Sequence, residues 1–288
     1  MIACSRLVLA CAALVPLSPL QAQLTPPDSV APAPWTLTAG YELARPTGWV
    51  QVRENAIAGT RLSLARDLGV HVASTVQMTL TVPAGAGAVS VSVAGTALRG
   101  STVLGQSVYF NGSTLQGGTV LNTRTEAGDF LRVVVDYERR LARVGAGGEL
   151  VGRAGLDATL LNFRLQGTLA PTTVGHETKE DFVTQELPAP FIGAELHLPL
   201  SGRVELRVGA GGGGLPWVSS LRYEGGLVRL WQRRLDGNAG LDIALASRLH
   251  AGAALHYTSF AQHERSGEDG NQFSMASTGV ALHLAWGF

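Results

Sequence analysis

Apolar side chains recur at every second position through most of the chain. Leu131, Val133, Val135 and Tyr137 alternate with Arg132, Val134, Asp136 and Glu138. Val204, Leu206 and Val208 alternate with Arg203, Glu205 and Arg207, and Val76, Met78, Leu80 and Val82 with Thr75, Gln77, Thr79 and Thr81. Successive side chains of a strand point to opposite faces, so this period of two predicts strands with one apolar and one polar face. Helical spacing is scarce. No interior stretch approaches the roughly 20 apolar residues of a spanning helix, so any membrane span is built from strands. The polar face carries charges, not only Ser and Thr. The stretches 149–166 and 226–246 also exceed the usual length of a sandwich strand. A closed sheet leaves no unpaired edge. The predicted fold is therefore all-β, a transmembrane antiparallel β-barrel.

The connections support it. Short turns at 83–87, 145–148, 199–202 and 246–248 alternate with long polar or Gly-rich stretches at 111–129, 167–188, 211–226 and 263–271. Tight periplasmic turns and longer extracellular loops are the pattern of such barrels. With the last strand descending to the periplasm, counting back through 273–288, 248–262, 226–246, 203–210, 191–198, 149–166, 130–141, 88–109, 75–82 and 60–66 leaves a first hairpin of 35–44 and 49–52 joined through Pro46. That predicts about twelve strands, or ten if the first hairpin is outside the sheet.

The first residues have another character. Arg6 precedes an apolar run from Leu7 to Leu17, and small residues around Ala22 follow. This predicts a secretory signal peptide over 1–22, then a Pro-rich disordered periplasmic leader over 23–34 and the barrel over 35–288. Cys4 and Cys11 leave with the signal, so the mature chain has no disulfide and no thiolate metal site. Lys+Arg and Asp+Glu each number 22, so no net field attracts nucleic acid.

The end of the chain carries a resemblance. Val280, Leu282, Leu284, Trp286 and Phe288 alternate with Ala281, His283, Ala285 and Gly287. This ending resembles the C-terminal signature of bacterial outer-membrane barrel proteins, in which a terminal Phe and alternate apolar residues are read by the barrel assembly machinery. The resemblance implies an outer-membrane location, with lipid and lipopolysaccharide as surroundings. The stretch Gly59 to Val70 also resembles the early strand and turn of a group of uncharacterised Gram-negative barrel proteins, and brings no activity with it.

Opposite the lipid face, alternation points a dense set of charges inward: Arg132, Asp136 and Glu138; Arg153 and Asp157; Glu195, Arg203, Glu205 and Arg207; Arg234, Asp236 and Asp242; with His256 and His283 beside them. Charges of both signs either pair across the lumen and fill it or line a wet pore passing small solutes or ions. The first expectation is a small or partly occluded passive channel. The alternative is a non-conducting structural or binding barrel that presents 167–188 and 211–226 outside.

Chemical motifs are sparse. The glycine runs from Gly145 and Gly209 lack the third Gly of a dinucleotide fingerprint and the Gly-Lys-Ser/Thr ending of a phosphate loop. His256 and Thr258 resemble the His-x-Ser of outer-membrane lipid A deacylases, with Thr in the Ser position and Glu264 or Glu268 nearby; a lipid-modifying hydrolase is the third reading. The oxygen-rich stretch 263–271 lacks the spacing of a calcium loop, and the charged stretch 176–181 is read as a solvated loop. No cofactor, metal site or catalytic residue is predicted.

Overall fold

A computed structural model describes residues 35–54, 57–125, 128–145, 147–168, 176–183, 187–223, 227–267 and 270–288. Ten long antiparallel strands form a closed circuit. They are β1 (Thr36–Gln51), β2 (Val72–Ala84), β3 (Gly87–Val103), β4 (Phe130–Val144), β5 (Gly148–Thr168), β6 (Ala189–Pro199), β7 (Val204–Tyr223), β8 (Leu227–Ala246), β9 (Leu249–Arg265) and β10 (Gln272–Gly287). Each pairs with its neighbours in sequence, and β1 pairs with β10 from Thr36 opposite Gly287 to Gln51 opposite Gln272, which closes the barrel. The short strand Val120–Thr125 pairs with β3 and β5, the same two neighbours as β4, and so continues β4 outward across an interruption.

The alternative count of ten is thus the one found among the described residues, for reasons the sequence reading did not foresee. The expected first hairpin is one strand. Pro46 lies within β1, where pairing to β2 has already stopped at Ala44, so its missing N–H meets an open edge. Gly48 has φ +128°, and a Cβ there would lie 2.0 Å from the Ser274 carbonyl oxygen, so only glycine lets β1 follow β10 past this point. The expected ascending strand over 60–66 is also absent. Only Leu62–Ser63 pairs with β1, and the chain then turns, with the Ser63 N–H donating to the Asp67 carboxylate at 2.8 Å.

Two expected loops are strands. The Gly-rich stretch 211–223 belongs to β7. Its glycines allow close strand packing, since a Cβ on Gly213 would lie 2.2 Å from the Pro190 carbonyl oxygen. His176–Val183 pairs with β5 along Leu161 to Gly167. The signal and leader lie outside the described residues.

The polarity of the barrel reverses partway along it. On the lower part of β5, Arg153 and Asp157 point inward while Leu156 and Leu160 are exposed. From Leu161 upward the pattern inverts: Leu161, Phe163 and Leu165 are buried inside, and Asn162, Arg164 and Gln166 face out. β8 does the same, with Val228 and Leu230 buried and Arg229 and Arg233 exposed at its outer end, but Arg234 buried and Leu235 exposed below. A face towards lipid must be apolar and a face towards water polar, so the inversion marks where the barrel leaves the hydrocarbon. β5 has 21 residues. At roughly 3.3 Å per residue and about 40° of tilt it rises far more than the apolar band of about 25 Å, so the outer part stands clear of the bilayer.

Candidate functional site: a charged lumen beneath an apolar cap

In the outer half the lumen holds a hydrophobic core. The connection between β1 and β2 folds over the mouth and inserts Val52, Leu62, Leu64, Leu68 and Val70, and the connection after β3 adds Val108, Phe110 and Leu115. Beneath them four rings meet: Phe130 of β4 lies 6.2 Å from Phe260 of β9 and 6.0 Å from Phe273 of β10, and Phe163 of β5 lies 6.2 Å from Phe273. β4 and β9 stand on opposite sides of a ten-stranded circuit, so these rings form a septum across the lumen, each no more than 2% exposed. Burying each ring stabilises the fold by roughly 1.5–3 kcal/mol.

Directly below lies a charged layer. Arg234 sits 5.3 Å from the centre of the Phe260 ring. Arg132 on β4 donates from Nε to Asp157 on β5 at 2.9 Å and from Nη2 to Asp236 on β8 at 3.0 Å, which bridges the lumen. Arg234 donates to Thr159 at 3.2 Å, and the Thr258 hydroxyl donates to Asp236. Lower still, Arg153 clasps Asp136 with two hydrogen bonds of 2.8 and 3.0 Å. Its register partner Glu138 faces the same interior. His197 contacts Glu195 at 2.8 Å, Arg207 donates to Glu205 at 2.7 Å, and Asp242 takes His283 at 3.0 Å and Arg207 at 3.6 Å. His256 Nδ1 lies 2.8 Å from Glu42.

The structure thus brings together all but one of the residues expected to line the lumen. Arg203 is set apart. β7 begins at Val204, and Arg203 is exposed in the preceding turn, its N–H donating to the Ser201 hydroxyl at 3.3 Å. Sequence reasoning missed Glu42 because Gly40, Ala44 and Thr38 around it carry no charge pattern. It also missed the whole apolar cap. The signal was present as the consecutive pair Leu160 and Leu161, where the alternation slips phase.

His256 Nδ1 meets Glu42 and the Thr258 hydroxyl donates to Asp236, so the two side chains have separate carboxylate partners. His263 and Glu264, offered as parts of an oxygen-rich loop, lie on opposite faces of β9. Glu268 and Asp269 lie outside the described residues. His263 faces out among Trp231 at 5.1 Å, Trp217 at 6.3 Å and Trp49 at 6.5 Å, with Arg61 stacked 3.6 Å from the Trp49 ring. Tryptophans concentrate at membrane–water interfaces. On the cap a cleft of about 120 Å³ is lined by Arg61, Arg66, Asp67, Thr102 and Gln106. There the Arg66 guanidinium, bonded to Asp67 at 2.8 Å, holds that carboxyl below its ordinary pKa; burial opposes this and the Ser63 N–H assists it.

The terminal strand presents Val280, Leu282, Leu284 and Trp286 outward, and all are exposed. Phe288 donates its N–H to the Trp35 carbonyl at 2.8 Å, and the two rings lie 6.2 Å apart.

No protein-family model and no curated protein matches this chain. Solved structures do. The outer-membrane protease OmpT from Escherichia coli aligns with a TM-score of 0.51 at 11% identity, covering 91% of this chain and 99% of that one. The translocator domain of the autotransporter NalP from Neisseria meningitidis aligns at 0.38 and 14% identity, covering 92% and 91%. The toluene transporter TodX from Pseudomonas putida aligns at 0.36 and 8% identity, covering 90% of each chain. The fold is that of an outer-membrane β-barrel, and at these identities the likeness extends to the fold alone.

Proposed function

We propose that this chain is a closed, non-conducting barrel of the Gram-negative outer membrane, whose folded outer half is the part that meets partners. The observation that carries the reading is the septum of Phe130, Phe163, Phe260 and Phe273 lying on the Arg132 bridge between Asp157 and Asp236. A passive channel needs a continuous wet path past charged walls. Here opposite charges face each other at hydrogen-bond distance, and close-packed rings lie above them. Beneath the rings the charges pair across the lumen, so removing one partner would leave the other uncompensated.

Purified protein in planar bilayers tests this. The expected record is silent at ordinary salt and voltage. Reproducible conductance steps from the wild type would overturn the closed reading and restore the small channel.

The last strand serves assembly in this reading. Val280, Leu282, Leu284, Trp286 and Phe288 form its outward face, as a sequence read by the barrel assembly machinery requires. Deleting Phe288 is expected to lower the yield of heat-modifiable barrel in outer-membrane fractions far more than Gln272→Ala. Equal yields would remove the assembly role.

A further inference from the structure

Two unlike walls face each other in the lower lumen. On β2 and β3 the inward side chains are neutral. Gln77 donates to the Thr79 hydroxyl at 3.2 Å, and the hydroxyl pairs Thr79–Ser92 and Thr81–Ser90 are each 2.8 Å apart. Among the described residues, the side-chain hydrogen bonds of this wall stay within it. Gln77 shares its row with the small residues Gly40 and Ala94, and it is exposed although it faces inward. Water therefore reaches the lumen beside β2. It enters from the periplasm, because the septum closes the top. Near the periplasmic ends of their strands the Arg207 and His250 side chains are 39% and 44% exposed, whereas Asp157 beneath the septum is 4% exposed.

The charged wall opposite has no arginine to spare. Arg132, Arg140, Arg153, Arg207 and Arg234 each have a carboxylate partner in the lumen. Glu138 is the exception among the inward carboxylates: among the described residues it has neither a hydrogen bond nor an ion pair. Its register partner Arg153 is held by both oxygens of Asp136. On its other side Glu138 meets the neutral wall. Asp136 is in register with Ser90, so Glu138, two residues on and on the same face, lies diagonally beside the Ser90–Thr81 pair.

We infer that the lower lumen is a blind vestibule that takes up an organic cation bearing primary amines from the periplasm. One ammonium meets Glu138, and hydroxyls along β2 and β3 accept from the others. An ammonium carries three donors and no acceptor, which suits a carboxylate beside a row of hydroxyl oxygens. A neutral polyol would leave Glu138 without a counter-charge, and an anion would be repelled by it. The blind end rests on the closed reading of the barrel; binding at Glu138 does not.

The test uses refolded full-length barrel, checked by heat-modifiable migration. Titration calorimetry would measure binding of spermidine, sorbitol and calcium. The wild type is expected to bind spermidine and not sorbitol. Glu138→Gln should weaken spermidine at least about tenfold, the scale of one hydrogen bond to a charged group. Thr79→Val/Thr81→Val, which leaves Glu138 in place, should weaken it severalfold. Asp129→Asn, with the same charge removed outside the lumen, should bind as the wild type does. In a separate variant, Gln77→Cys should react with a charged maleimide above the wild-type background, and spermidine should slow that reaction. No spermidine binding, equal loss in Glu138→Gln and Asp129→Asn, or an unreactive Gln77→Cys would overturn the vestibule. Calcium bound as tightly as spermidine would make it a general cation site and overturn the amine. A wild type that conducts yet still binds through Glu138 would sink the closed barrel and support this site, so the two failures remain separate.

Discussion

The two halves of this barrel solve opposite problems with the same strands. In the periplasmic half the outer wall meets lipid, so Leu156, Leu235 and Leu282 face out and the charges have only the lumen left to them. There they pair, as Arg153 with Asp136 and Arg132 with Asp157 and Asp236. In the outer half the wall meets water, so Arg164 and Arg229 face out and the interior is free to be apolar. Phe163, Phe273 and the cap residues Leu64 and Leu68 fill it as they would fill a soluble core. The difference teaches that the solvent outside the wall, not the lumen, sets the polarity of each strand face. The septum forms where the two regimes meet.

The largest expected effect tests the septum. Phe273→Ala removes a ring that contacts three others. Urea unfolding from vesicles should register a loss of about 3–5 kcal/mol. Val280→Ala on the same strand, facing lipid, should stay within about 1 kcal/mol. Equal losses would mean that the outer half is no better packed than the lipid face.

Next comes the charged layer. Asp236→Ala leaves Arg132 and Arg234 with one partner fewer in the middle of the lumen. Removing one member of a buried pair costs about 3 kcal/mol. A variant as stable as the wild type would indicate a hydrated lumen and would weaken the contrast between the halves.

The boundary itself can be located by substituting two outward neighbours on β5. Leu160→Arg should cost about 2–4 kcal/mol if Leu160 faces deep lipid, less nearer the interface. Asn162→Arg, beyond the inversion, should change stability by less than about 0.5 kcal/mol. The same pairing on β8 sets Ile243→Arg, within the lipid face, against Asp242→Asn inside. If Asn162→Arg proves the costlier of the β5 pair, the hydrocarbon extends further out than the inversion implies.

The smallest effect belongs to the cap. The folded-state pKa of Asp67 is depressed by Arg66. Its stabilisation is therefore present above the unfolded carboxylate pKa, near 4, and is lost as pH falls through the lower folded value. Asp67→Asn should lower the urea midpoint slightly at pH 7, and by less as the pH falls through the carboxylate range. A difference that grows on acidification would have the wrong sign and would remove the Arg66 contact from the account.

Much of this was legible in the sequence and some was not. Period-two alternation over long stretches implies strands with two unlike faces, and charges on one face imply a wall with lipid on the other. Those inferences need only local geometry, which is why Asp242 and Ile243 fall on the faces their positions predict. Strand count is less local. Pro46 reads as a turn until β2 is seen to stop at Ala44, and the glycines before Leu215 read as a loop until Phe191 and Gln232 are seen packed against them. Tertiary structure alone decided who meets whom across the lumen. Arg132 and Asp236 are 104 residues apart, and only closure between β1 and β10 sets the distance between their strands. It also decided that the stretch after β1 folds inward as a cap, because a run such as Leu62 to Val70 can bury its side chains only against a core that other strands supply.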